Sequence, residues 1–294
     1  MNVIKIKTAA KINLALDVTG KLPNGYHTIE SVFQTVGLYD EITVKLTEND
    51  IKISCTVPER FAESDEIPCD ERNIAYKAAK LFLEETGCQH GCSIIIKKGI
   101  PSQAGMGGGS TDAAAVLYCL NRLTGSPFTS EKLASLGQKL GADVPFFFTG
   151  GTAYVSGIGE KIAQIMSYAG KVLIIAKGTE GVSTAEAYRN IDALMNPVHP
   201  QTNLLVQAIE TERSDAHNYF GNLFEAAVNL NEVKDIKAEM IACGALSSIM
   251  TGSGSAVFGL FSDENTADKC AEILTQKGYF AQVCHTVDKS FIEI

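Results

Sequence analysis

Apolar and polar residues along this chain alternate in some stretches with a period of two and in others with a period near 3.6, which predicts a succession of strands and helices. Val3–Val18 reads as a strand, with a turn at Lys21-Leu-Pro-Asn-Gly25. Glu41–Leu46 and Ile51–Cys55 are further strand-like runs, and the polar stretch Pro58–Glu71 predicts a loop. Asn73 then stands as an N-cap before Ala75, Ala78, Ala79, Leu81 and Phe82, whose spacings predict a helix ending near Gly87. Ser93–Lys97 predicts a short β-branched strand, Gly99–Gly109 a loop, Ser110–Leu123 and Ser130–Leu140 helices, and Thr152–Ser156 a strand.

Beyond Gly159 the pattern changes. Lys171–Ala176 predicts a strand and Ser183–Asp192 a helix, while Leu194–His217 is mostly helical without clear breaks. Helix Asn231–Cys243, strand Ser255–Phe261, helix Glu264–Lys277 and strand Tyr279–Cys284 close the chain as an α+β sandwich. The change places a division between residues 155 and 170, giving parts 1–160 and 161–294 with no visible linker and no internal repeat.

Composition narrows the function classes. With 45% apolar and 20% charged residues, a substantial core is expected throughout. A net charge of -9 argues against a nucleic-acid partner or an anionic membrane, but not against a phosphorylated small molecule, which backbone N–H groups can hold. No apolar run approaches the length of a membrane span, and Lys11 and Asn13 interrupt the apolar start, so the expected location is cytoplasmic. The eight cysteines lack paired spacings; Cys88, His90 and Cys92 have no second ligand pair after them, so no metal site is expected there.

The chemistry concentrates in Ile100-Pro-Ser-Gln-Ala-Gly-Met-Gly-Gly-Gly-Ser-Thr-Asp-Ala-Ala-Ala115, between an expected strand and an alanine-rich helix. Glycine permits positive φ and close approach of the backbone to a ligand, and the helix start adds free N–H groups and the positive end of its dipole. The combination suits a polyphosphate, with Ser110 and Thr111 supplying hydroxyls for a phosphate oxygen or Mg²⁺. No lysine follows the glycines as in a Walker A loop, and the spacing is not that of a dinucleotide-binding turn. A flexible turn is the plain alternative.

Three separated segments together resemble the GHMP kinase superfamily. Ala10-Lys-Ile-Asn-Leu14 is similar to its first motif, Pro101–Ala115 to its second, which encloses the ATP phosphates, and Thr251-Gly-Ser-Gly-Ser-Ala-Val-Phe258 to its third. Asn24-Gly-Tyr-His27, Leu140-Gly-Ala-Asp-Val-Pro-Phe-Phe147 and Gly150-Gly-Thr-Ala153 resemble the branch acting on a cytidine-diphosphate-linked methylerythritol. The resemblance implies a two-domain α+β fold, with an N-terminal α/β nucleotide-binding domain and a C-terminal ferredoxin-like domain. It also implies transfer of the ATP γ-phosphoryl group to the acceptor's 2-hydroxyl, in the non-mevalonate route to isoprenoid precursors, with Mg²⁺ accompanying ATP. The partner would be that small molecule, with no nucleic acid and no membrane, for a monomer or homodimer.

By the same resemblance, Asp143 would accept the hydroxyl proton and Lys11 would pair with it and polarise the hydroxyl. Alone, Asp143 reads equally as a turn carboxylate and Lys11 as a strand-face lysine. Pro101, Ser102, Gln103, Ala104, Gly105, Met106, Gly107, Gly108, Gly109, Ser110 and Thr111 would surround the nucleotide, with Asn73 near the adenine unless it serves only as a helix cap. Asn13 would contact the methylerythritol or diphosphate, Tyr26 and His27 the cytidine end, and Thr184 and Tyr188 the same pocket. A kinase for another alcohol, such as mevalonate or homoserine, and a non-catalytic nucleotide-binding regulator are the competing readings.

Overall fold

A computed structural model describes residues 2–58 and 67–294, so residues 59–66 of the expected Pro58–Glu71 loop lie outside the described residues. Its backbone is a long antiparallel ladder between β1 (Val3–Lys21) and β2 (His27–Thr47), running from Val3↔Lys45 to Lys21↔His27. The pattern predicted β2 only from Glu41. Residues 31–36 are buried on both faces, including the polar Ser31, Gln34 and Thr35, so the inside–outside alternation that reveals a strand is absent there.

Next come β3 (Ile51–Thr56), α1 (Ile74–Thr86) and β4 (Gly91–Lys97); β4 runs antiparallel to β2 and parallel to β3. The Asn73 side chain accepts the Ala75 N–H and starts α1, and Gly87 in the left-handed region ends it. Helix α1 turns Ala75, Ala78, Ala79, Phe82 and Leu83 inward against α2 (Gly108–Leu123). Three consecutive alanines, Ala113–Ala115, are fully buried in α2 and let it lie close to both α1 and the sheet. After α3 (Ser130–Gln138) and α4 (Phe146–Thr149), β5 (Thr152–Gly157) pairs with β2, and β6 (Lys161–Gln164) pairs with β5.

The second sheet begins with β7 (Val172–Lys177), followed by α5 (Thr184–Asp192), α6 (Thr202–Glu210) and the two-residue β8 (Gly221–Asn222). Of the expected helical stretch 194–217, α6 and the start of a 3-10 turn at Ala216–Tyr219 are helical. Helix α7 (Asn231–Ala242), β9 (Ser247–Met250), β10 (Val257–Phe261), α8 (Glu264–Gln276), β11 (Phe280–His285) and β12 (Phe291–Glu293) complete the chain. The sheet order is β11-β7-β10-β9, with Val233, Ile236 and Met240 of α7 and Ala267, Cys270 and Leu274 of α8 in the core beneath it. The pattern did not reveal the short β6, β8, β9 and β12. Strand pairing crosses residue 160, because β8 and β12 both join β1 in the first sheet.

A buried charge cluster fixes the passage from β4 to α2. Lys98 donates to Asp40 and, at 2.9 Å, to Asp112, and all three side chains are nearly inaccessible. Asp40 also accepts the backbone N–H groups of Gly99 (2.6 Å) and Ile100 (2.9 Å), which hold the first residues of the glycine-rich loop. Burial drives the Asp112 carboxyl well above the ordinary carboxylate range against the pull of Lys98, and its Oδ1 has no hydrogen-bond partner among the described residues.

Two stability outcomes follow from this cluster. Asp40→Ala strands Lys98 and two amides, and should cost about 3–5 kcal/mol in urea unfolding, with Asp112→Asn far milder. Because Asp112 has a folded pKa above its unfolded value, its contribution is present below about pH 4 and is lost as pH rises through the folded value. The stability difference between Asp112→Asn and wild type should therefore move in favour of the variant with rising pH, which thermal melts across pH 4–8 would measure.

Candidate active site

The glycine-rich loop and the start of α2 form one wall of a cavity of about 760 Å³. Helix α2 begins at Gly108, two residues earlier than the pattern predicted, so Gly108 and Gly109 belong to its first turn and present N–H groups with no partner inside the helix. Gly107 caps it at φ 69°. At Gly105 (φ 72°) a Cβ would sit 2.2 Å from the Thr251 carbonyl oxygen, and at Gly252 (φ 59°) one would strike Gly105. The two glycine loops therefore touch backbone to backbone, at positions where any side chain would part them.

Lys11 approaches the loop from β1. Its N–H donates to the Met106 carbonyl at 3.0 Å, and its ammonium lies 2.9 Å from Asn13 Oδ1, 4.7 Å from the centre of the Phe33 ring and 3.5 Å from Asp143 Oδ2. Lys11 is buried while the Asp143 side chain is about one-third exposed, so the carboxylate is the member of the pair open to a ligand. Asp143 projects from the turn between α3 and α4, where buried Val144 and Phe146 fix the backbone on its C-terminal side. The two residues, distant in sequence, meet at the glycine-lined cavity.

Asn13 lines the cavity, but its carboxamide is already engaged. Oδ1 accepts Lys11 Nζ and the Gly252 N–H (3.0 Å), Nδ2 donates to Ser31, and the Asn13 N–H donates to Thr251 Oγ1. It joins the first motif to the third, which gives it a positioning place beside the expected substrate contact. Asn73 is likewise both cap and wall: it bonds Ala75 N and the Pro68 carbonyl while lining the cavity.

The far wall combines the β1–β2 hairpin with α5. Tyr26, 62% exposed, sits at the hairpin tip, and His27 stacks on Tyr188 with ring centres 4.6 Å apart. Tyr188 meets Phe224 edge to face at 5.0 Å, and burial with the nearby Asp143 charge pushes its hydroxyl up to about 12. Thr184 shares a 3.0 Å hydrogen bond with Ser253 of the third motif.

Of the residues expected around the nucleotide, Pro101–Ser110 and Asn73 line the cavity. Thr111 is the correction. It is fully buried, and its hydroxyl pairs with that of Thr8 on β1. A helix turns about 100° per residue, so the position after Ser110 faces the sheet rather than the ligand. Gly252 and Ser253 of the third motif and Asp112 of the second line it too, while Phe33, Lys98 and Phe224 do so without having been singled out. Asp112, an acidic residue inside an expected phosphate loop, was the legible sign of a neutralising partner nearby; Phe33 and Phe224 had none, being apolar residues in apolar surroundings.

Comparison with known proteins follows the same geometry. Residues 73–151 match the family described as GHMP kinases N terminal domain, and residues 207–279 match GHMP kinases C terminal. A 4-diphosphocytidyl-2-C-methyl-D-erythritol kinase of Clostridium botulinum is 45% identical over 92% of this chain and 96% of its own, and one of Clostridium beijerinckii is 40% identical over 93% and 96%. A crystal structure of 4-(cytidine 5'-diphospho)-2C-methyl-D-erythritol kinase superposes with TM-score 0.78 at 29% identity, covering 96% of this chain and 98% of that one. A homoserine kinase from Cytophaga hutchinsonii shares the fold, with TM-score 0.76 at 18% identity and coverage of 100% and 98%. The chain belongs to the GHMP kinases and, within them, to the 4-diphosphocytidyl-2-C-methyl-D-erythritol kinase family.

Proposed function

We propose that this kinase transfers the γ-phosphoryl group of ATP to the 2-hydroxyl of 4-diphosphocytidyl-2-C-methyl-D-erythritol, with Asp143 and Lys11 as its catalytic residues, in the cytoplasm. The observation that carries the reading is the Lys11–Asp143 pair, 3.5 Å apart beside the open N–H groups of the α2 first turn. Asp143, the exposed member, takes the proton from the attacking hydroxyl. Lys11, held by Asn13 and the Phe33 ring, orients that carboxylate and offers positive charge to the oxygens in transfer.

The triphosphate lies along Gly105–Ser110, where backbone N–H groups and the α2 dipole offset its charge in an otherwise acidic chain. Mg²⁺ fits as the companion of the phosphates. Ser110 offers a hydroxyl in the cradle that would hold the ion beside the phosphate oxygens. When bound, it would supply charge neutralisation to the triphosphate. The cytidyl group rests on the wall formed by Tyr26, Thr184 and Tyr188, with His27 stacked on Tyr188. No helix among the described residues is long and apolar enough to cross a membrane.

Asp143→Asn should lower kcat about 10²–10⁴-fold while leaving ATP affinity near wild type, measured by ADP release and nucleotide titration. Turnover of mevalonate or homoserine, with none of the cytidyl acceptor, would overturn the substrate assignment. Unchanged activity in Asp143→Asn would overturn the catalytic one. Gly105→Ala, which forces a Cβ into the Thr251 carbonyl, should raise the KM for ATP at least tenfold with the fold retained by circular dichroism.

A further inference from the structure

Helix α5 carries Thr184 and Tyr188 into the cavity, yet it is thinly anchored: Ala187 is its buried residue. Beyond the apolar contacts of Ala187, Tyr188 and Ile191, polar links hold it. Thr184 meets Ser253 at its start, and Asn190 donates to the Ala227 carbonyl at 3.2 Å. At its last residue, Asp192 reaches across to the β1–β2 hairpin, Oδ2 taking Lys21 Nζ at 2.5 Å and Oδ1 lying 2.7 Å from His27 Nε2. Lys21 and His27 are directly opposite each other in the ladder. One carboxylate therefore clasps a cross-strand pair with both oxygens.

The clasp reaches the pocket through Tyr188, a lining residue on which the clasped His27 is stacked. His27 is nearly inaccessible, stacked on Tyr188 at an interplanar angle of 18°, and its Nε2 is committed to Asp192. In the neutral ring an Nε2–H donated to the carboxylate leaves the lone pair on Nδ1. Such a nitrogen accepts a hydrogen bond from an exocyclic amine, as at the 4-position of cytosine, and repels the carbonyl oxygen that uracil carries there. Lys21 and His27 both hold the Asp192 carboxyl below the usual carboxylate range, which keeps it an acceptor at neutral pH.

We propose that Asp192 is a positioning residue for the acceptor substrate: by clasping Lys21 and His27 it fixes α5 against the hairpin, holds the His27 ring on Tyr188 and leaves Nδ1 as the nitrogen that reads the base. This rests on the reading that the acceptor carries a cytidyl group. With the lysine half exposed and the carboxylate one-third exposed, the Lys21–Asp192 arm adds little to global stability, so the effect of the clasp falls on the pocket rather than on the fold.

The test uses the intact enzyme at pH 8, with initial rates for wild type, Asp192→Ala, Asp192→Glu, His27→Ala and the Asp192→Ala/His27→Ala double variant. Asp192→Ala should raise the KM for the cytidyl acceptor about tenfold, with kcat and the KM for ATP within about twofold and Tm unchanged. Asp192→Glu should recover part of the loss, and the double variant should be no worse than His27→Ala alone. Nitrogen-15 NMR should find the Nε2–H tautomer of His27 in wild type and a mixture in Asp192→Ala. An unchanged acceptor KM, multiplicative losses in the double variant, or a drop in Tm with parallel loss of ATP affinity would each overturn the proposal. If wild type phosphorylates a different alcohol, the substrate reading has failed instead, and the His27 tautomer still decides whether the clasp exists.

Discussion

The site depends on one junction, the contact between two glycine loops far apart in sequence. Gly105 and Gly252 lie so close that neither tolerates a Cβ, and the Asn13 carboxamide ties the second loop to the strand bearing Lys11. Displacing any of the three segments would move the anion cradle away from the Lys11–Asp143 pair. The junction also joins the two sheets, since Asn13 belongs to β1 and Thr251–Gly252 follows β9 directly. Fold and chemistry are held in register by the same few backbone atoms.

Electrostatics explains why a chain of net charge -9 can hold a polyanion. Attraction comes from local, directional groups: free amides of the α2 first turn, the helix dipole and one buried lysine. The other lysine lining the cavity, Lys98, is matched by Asp40 and Asp112, and its work is to seat the loop. Lys11 is bound less tightly, sharing itself among Asn13, the Phe33 ring and a carboxylate 3.5 Å away. That looser pairing leaves its charge available to a ligand, whereas Lys98 is sequestered.

Much of this was legible in the sequence where local rules dominate. Asn73 and Gly87 mark the ends of α1, and the spacing of Ala75, Ala78, Ala79 and Phe82 marks its inner face. The cluster Gly105–Gly109 announced an anion cradle by its cost in chain entropy. Illegible were features set by distant parts of the chain. The first half of β2 lacked alternation because both of its faces are covered, and Thr111 looked like a ligand hydroxyl until the phase of α2 turned it toward Thr8. The Asp192 clasp had no local signature, since its partners lie on a hairpin more than half the chain away. The Lys11–Asp143 pairing came from resemblance, because spacing carries no trace of a contact made by two loosely related elements.

Strand β12 gives the architecture a topological consequence. Phe291–Glu293 lies antiparallel to β1 at Ile6–Thr8, and the Ala9 N–H donates to the Ser290 carbonyl at 2.8 Å. The first sheet is thus closed at this edge by a segment that follows the whole of the second sheet along the chain. Without that segment the outer edge of β1 is unpaired at these positions, an open template for a strand of another chain.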